Sequence, residues 1–276
     1  PELKKPADKI RALRRPAKQT STLIFHERPA HHPRPTHRHH RGEFLQPREN
    51  VAAGVPQALH PYPANAPHNR LGFARWLVSR DNPLAARVAV NRHWAALFGQ
   101  GLVRTLGDFG AQGDTPSHPK LLDWLAVEFM DNGWSVKKLH RLLVTSETYK
   151  QSSIVNASHS AQDPANRLLA HAARPRLEAE VLRDAFLKAA RALSPKMYGP
   201  PVRPPQPAGI TEVSFGSPRW NPSKGEDRVR RSIYTFSKRT APFAMFQTFD
   251  APSGEVCIAQ RDLSNTALQA LSLLND

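Results

Sequence analysis

The sequence predicts a mainly α-helical domain with long proline-rich loops, at most a small β element, and an extended basic N-terminal arm. Three observations carry that prediction. Downstream of residue 69, apolar residues recur at helical spacing in segments such as HPKLLDWLAVEFM and VKKLHRLLV, and Asn, Ser or Pro stands near their starts. The 26 prolines crowd the stretches between such segments, where they break helices and deprive a strand of its donor. Residues 1–50 hold 12 Lys and Arg against 5 acids and show little periodic hydrophobicity, the composition of a solvated tail.

Taken in order, residues 1–43 form the arm, which carries six of the 13 histidines, and TLIF at 22–25 reads as a short strand within it. Residues 44–68 are a proline-punctuated, extended connector, and 69–276 make the helical body. Asn82 ahead of Pro83 signals a helix start, and that helix runs to Phe98 before Gly99 and Gly101 stop it. Ser117 is the expected cap of the next helix, whose Leu121, Leu122, Leu125 and Phe129 form a core-facing stripe and which Gly133 ends. Ser135 caps the following one, with Val136, Leu139 and Leu143 on one face, and so short a link implies an antiparallel pair. A helix over 177–193 buries Leu182, Ala185, Phe186 and Ala189; a long Pro-rich loop, a strand over 232–236 and a short helix near 243–248 follow. The final helix, capped by Ser264 or Asn265, is apolar nearly all round and therefore reads as buried. No repeat of solenoid period occurs.

The formal charge of +16 draws phosphates and anionic polymers without reading any sequence. No basic stripe interleaved with aromatics accompanies it, which disfavours nucleic acid as a partner. No apolar run approaches the roughly 18 residues needed to span a bilayer. Pro1 opens no charged-then-apolar leader and the chain stops at LLND, so it reads as a piece of something longer. Cys257 is alone: no internal disulfide and no CxxCH haem attachment can form, and its apolar flanks suggest a buried thiol. Prolines and charges deny the histidines of 26–40 a scaffold that would fix ligand geometry. Neither a metal nor a cofactor is assigned.

Candidate chemistry lies in three places. Asp108, Asp114, Ser117 and His118 occupy DFGAQGDTPSHP, a glycine-bearing loop entering a helix, whose free amides would suit an anion or simply be satisfied by Ser117 and Asp114. Asp108-Phe109-Gly110 is no kinase motif, because no glycine-rich loop, HRD segment or matching lysine strand accompanies it. On one helical face, Glu180 and Asp184 are spaced for acid and base work, or equally form a solvated face relieved by Arg183 and by Lys188 one turn beyond Asp184, the favoured expectation. Lys238 and Arg239 are cations placed either to hold a carboxylate or sulfate, or to form internal salt bridges to Glu180 and Asp184; the internal bridges are the favoured expectation. Asn91 and Arg92 suggest a buried polar contact to the Asp108 loop, and His140 a packed, hydrogen-bonded ring.

The segments NPLAARVAVNRHWAALFGQGLVRT, DFGAQGDTPSHPKLLDWLAVEF, GWSVKKLHRLLVTSETYKQSS, YTFSKRTAP, TFDAPSGEVC and SNTALQALSLLND together resemble the DUF1553 family, over roughly residues 43–276. That resemblance implies the C-terminal half of a large secreted protein of planctomycetes and related bacteria, preceded by a DUF1549 region and often by a cytochrome c-like domain. It implies an extracytoplasmic location and neighbouring domains of the parent protein as partners, and it brings no established activity. The expected role is a structural or interaction module. An alternative is an enzyme or binding module for an anionic, sulfated polysaccharide, with Glu180, Asp184 or His118 catalytic and Asp108, Ser117, Arg183, Lys238 and Arg239 binding. A non-specific nucleic-acid binder is a third expectation, resting on charge alone.

Overall fold

Apolar spacing translates into packing most directly between Ala85 and Lys150. The computed structural model describes residues 22–29, 31–32, 34–210 and 219–275. Among them are nine α-helices and one two-stranded sheet, so the protein is mainly α with a small β element. None of the described helices is long and apolar enough to cross a membrane. The chain divides into two compact units, Pro1–Asn82 and Pro83–Asp276.

In the first unit, residues 1–21 of the predicted arm lie outside the described residues. TLIF is exposed and forms no strand with any of the described residues. Strand β1 (His37–His39) instead pairs antiparallel with β2 (Pro47–Asn50), His37 opposite Asn50 and His39 opposite Pro47. The Arg38 guanidinium ties across to Glu49 at 2.5 Å, a cross-strand pair that a chain read as featureless tail did not advertise. Helix α1 (Arg70–Leu77) starts where Asn69 accepts the Gly72 amide hydrogen at 3.0 Å. It buries Trp76, which stacks on His60 at 4.7 Å and donates its indole N–H to the His60 carbonyl at 3.0 Å.

In the second unit, helix α2 (Ala85–Phe98) begins two residues later than the Asn82–Pro83 signal, with Leu84 in the cap position. It ends as expected at Gly99, whose φ of 79° is a conformation that glycine adopts without a Cβ penalty. Helix α3 (Pro119–Asp131) has Pro119 in its first turn, but His118 rather than Ser117 is the cap residue. The Ser117 hydroxyl pairs with His118 Nδ1 at 3.0 Å, and the cap residue His118 makes no side-chain bond to a helix amide. Helix α4 (Val136–Val144) is capped by Ser135, which accepts from the Lys138 amide at 3.4 Å. Leu139 and Leu143 are buried, whereas Val136 at the first turn is exposed. Short helices α5 (Glu147–Lys150) and α6 (Ala157–Gln162) follow.

Val90, Trp94 and Phe98 of α2, Leu122, Leu125 and Phe129 of α3 and Leu139 and Leu143 of α4 make one apolar core with Leu102 and Val103. One polar side chain lies inside it. Asn91, fully buried, donates to the Val103 carbonyl at 2.8 Å and accepts the Val103 amide at 2.9 Å, so a loop that cannot pair with itself finds both partners on one amide. A side chain at Gly101 would stand 2.7 Å from Asn91 Nδ2, too close to fit. The expected partner of Asn91 was the Asp108 loop; the contact falls at the stretch leading into it, and Arg92 is exposed.

Beyond residue 176 the architecture changes. Helix α7 (Ala179–Ala189) is shorter than expected and is rotated: Ala185 and Ala189 are exposed, while Ala179 and Arg183 are buried. The reason is Arg183 itself, whose guanidinium donates to the carbonyls of Arg230 at 2.9 Å and Arg228 at 3.1 Å. Those carbonyls belong to a segment of two 3-10 turns, Gly225–Val229 and Ser232–Tyr234, which stands where a strand was expected. Only single bridges form there, Ser194 to Arg230 and Val202 to Thr235, because each neighbouring stretch stays in register for too few residues. Arg230, 1% exposed, lies over the Tyr234 ring at 3.9 Å and donates to the Tyr198 carbonyl. Helix α8 (Ala244–Thr248) follows as expected.

Helix α9 (Ala267–Asn275) corrects two expectations. Its cap is Thr266: the Thr266 hydroxyl accepts the Gln269 amide at 3.2 Å and the Gln269 side chain accepts the Thr266 amide at 3.1 Å, a capping box. The helix is also not buried, since Leu268, Leu273 and Leu274 are exposed while polar Gln269 is 2% exposed. Gln269 is drawn inward by the Thr248 carbonyl at 2.8 Å and by Asp250 at 3.3 Å.

Candidate functional site

One face of α7 carries Glu180 and Asp184, one turn apart, and both line a cleft of about 440 Å³. Glu178 and Val181 complete that wall; Arg231, Ser232 and Thr235 come from the second 3-10 segment, Phe243, Phe246 and Gln247 from α8 and its approach, and Ser253 and Arg261 from the chain before α9. A larger hollow of about 730 Å³ lies among Phe186, Pro204, Pro205, Met245 and Leu268. Its charged groups are Arg183 and Arg228, the former already committed to loop carbonyls, so the smaller cleft holds the denser chemistry.

Within the cleft the acids have partners. Arg261 grips Glu180 with two parallel bonds, Nη1 to Oε2 at 2.7 Å and Nη2 to Oε1 at 3.2 Å, and reaches Glu178 at 3.4 Å. Burial pulls the Arg261 guanidinium down, but the Glu180 bond and the charges of Glu180 and Glu178 outweigh it, and the net shift is upward. Asp184 Oδ1 accepts the Ser232 amide at 2.8 Å, and Arg183 and Arg231 each stand 3.9 Å from its carboxylate. Burial lowers the Arg183 pKa, an effect that neighbouring Asp184 opposes.

The internal ion pairs expected of Glu180 and Asp184 are therefore present, but Arg261, Arg231 and Arg183 form them rather than Lys238 and Arg239. Lys238 Nζ is buried without a hydrogen-bond partner among the described residues, Arg239 is exposed, and neither lines this cleft. Ser117 lines a different hollow beside Trp94, Gly101 and Arg104. Asp108 Oδ1 accepts the Gly110 amide at 2.7 Å, closing its own loop, and Thr105 supplies the hydroxyl that serves Asp108 and Asp114. His140 meets His93 at 3.0 Å, and Cys257 is exposed rather than buried because the 251–264 stretch runs without regular structure over the surface.

Sequence reasoning missed Arg261 and Asp250. Asp250 accepts from the Ser264 hydroxyl at 2.6 Å and amide at 2.9 Å, and these bonds hold its carboxyl below the usual range, with Arg176 3.7 Å away. The available signal for both was the same: charged residues in a stretch too irregular to be a solvated helix face. Among the described residues, no three or more His, Cys, Asp or Glu converge as a metal cluster.

The fold and the cleft thus define a class: a mainly helical domain in whose cleft the acids of α7 are tied to arginines. Within that class the chain belongs to the PSD1 family, described as a protein of unknown function (DUF1553), whose model matches residues 69–276. No curated protein and no solved structure matches the chain.

Proposed function

We propose that this DUF1553 chain is a structural and interaction module of a larger extracytoplasmic protein, and that Glu180 and Asp184 are ties within it rather than an acid and a base. The observation that carries this reading is the bidentate Arg261–Glu180 clamp. Both oxygens of Glu180 accept from one guanidinium, which stabilises its charged form and fixes its orientation toward Arg261. Three carboxylates and two guanidiniums line the cleft, a balance that gives a sulfated polymer little attraction there. The exposed leucines of α9, with Leu263 beside them at 73% exposure, supply the apolar surface that a neighbouring domain of the same polypeptide would cover.

Thermal and denaturant unfolding of Glu180→Gln tests the reading. A tie predicts a loss of about 1 kcal/mol, the size expected for a partly exposed pair. Unchanged or increased stability, together with loss of a polysaccharide-cleaving activity, would establish the catalytic alternative instead.

A further inference from the structure

His93 on α2 and His140 on α4 are the one pair of imidazoles brought together by helix packing among the described residues. His93 precedes buried Trp94 and His140 follows buried Leu139, so both rings sit at the margin of the apolar core and both are partly buried. His93 Nδ1 and His140 Nε2 are 3.0 Å apart, and the rings meet edge to face with centroids 4.8 Å apart. The backbones that carry them are regular helices pinned by Val90, Trp94, Leu139 and Leu143, so neither ring is displayed on a mobile loop.

We propose that His93 and His140 form a two-histidine site for a divalent transition-metal ion of the zinc, nickel or copper class. Two nitrogens bound to one such ion at about 2.1 Å, with an angle near 90–109° between them, lie about 3.0–3.4 Å apart. The observed separation is at the lower edge of that range. Imidazole nitrogens select these metals over magnesium and calcium, which favour oxygen. In the metal-free pair one ring donates its N–H to the other. On binding, that proton moves to the far nitrogen of the same ring, both facing nitrogens present lone pairs, and no proton is released when both rings start neutral.

Burial first, and the facing His140 second, hold the His93 pKa below its ordinary value. Exposed Arg92, Lys137 and Arg141 are near along the same helices; they oppose protonation of the rings and also weaken attraction for a cation. With two protein ligands the ion keeps open positions for water or an exogenous donor. A single metal was not expected from the sequence, because periodicity places each histidine on its own helix without showing that the two helices bring them face to face.

The test uses the full chain with 15N-labelled histidine, titrated with zinc near pH 7.5. Exposed histidines at 26, 31, 32, 39, 40, 68 and 159 also compete for metal, so individual ring signals must be followed. The expected result is that the His93 and His140 ring nitrogens shift together at one zinc equivalence, that magnesium leaves them unmoved, and that the shift disappears as pH falls below about 6.5. His93→Asn and His140→Asn should each lose one bound equivalent. If either ring is unmoved at saturating zinc the proposal is overturned, and that wild-type measurement decides the matter even where a variant fails to fold.

Discussion

The segment from Ala85 to Lys150 and the segment from Arg176 to Asn275 build interiors of opposite kinds. The first packs ten apolar residues into one cluster around a single buried amide, Asn91. The second surrounds Val202, Phe243 and Phe249 with Arg183, Ser194, Arg230, Ser232 and Gln269, all buried and polar. Regular helices satisfy their own backbone, so the first segment has few carbonyls to serve. The second contains long irregular stretches, and its orphan carbonyls recruit arginine and glutamine donors inward. Loop content, more than overall composition, decides how polar a core must be.

The sharpest way to break this comparison is a pair of volume-conserving substitutions. Arg183→Met should cost about 2–6 kcal/mol, because the carbonyls of Arg228 and Arg230 both lose their donor at about 1–3 kcal/mol each. Leu125→Met in the other core should cost less than about 1.5 kcal/mol. Denaturant unfolding measures both, and equal losses would erase the distinction. Next in size, Asn91→Ala should cost about 1–3 kcal/mol and speed hydrogen exchange at the Val103 amide, since two buried partners are orphaned.

The smallest expected effect is the pH dependence that Asp250 gives the second segment. The Ser264 hydroxyl and amide bonds hold the Asp250 carboxyl below its ordinary value, so its contribution is fully present above that ordinary value and is lost as pH falls through the lower value it has in the folded protein. Asp250→Asn should therefore flatten the acid limb of a stability-against-pH curve. An unaltered slope would mean that the Ser264 bonds form equally well with the protonated carboxyl.

The same contrast explains what could be read in advance. Helices α3 and α4 were legible because Pro119, Ser135 and the Leu122–Leu125–Phe129 spacing all agree. The inward turn of Arg183 was not, because a guanidinium on an amphipathic helix reads as solvated until the carbonyls around it are known. Helix α9 misled for the converse reason: leucines report a preference for burial, while Gln269 had specific acceptors waiting and took the inner position. Glu180 and Asp184 were correctly placed on one face, but Arg261 lies 81 residues from Glu180 along the chain, beyond any local pattern.

Cys257 offers a practical opening. It is the one thiol in the chain, it is exposed, and it stands between Ser253 and Arg261, which line the cleft. A maleimide dye placed there would label a single position without mutagenesis, and its emission would register whatever enters beside α7 or pulls the 251–264 stretch away from it.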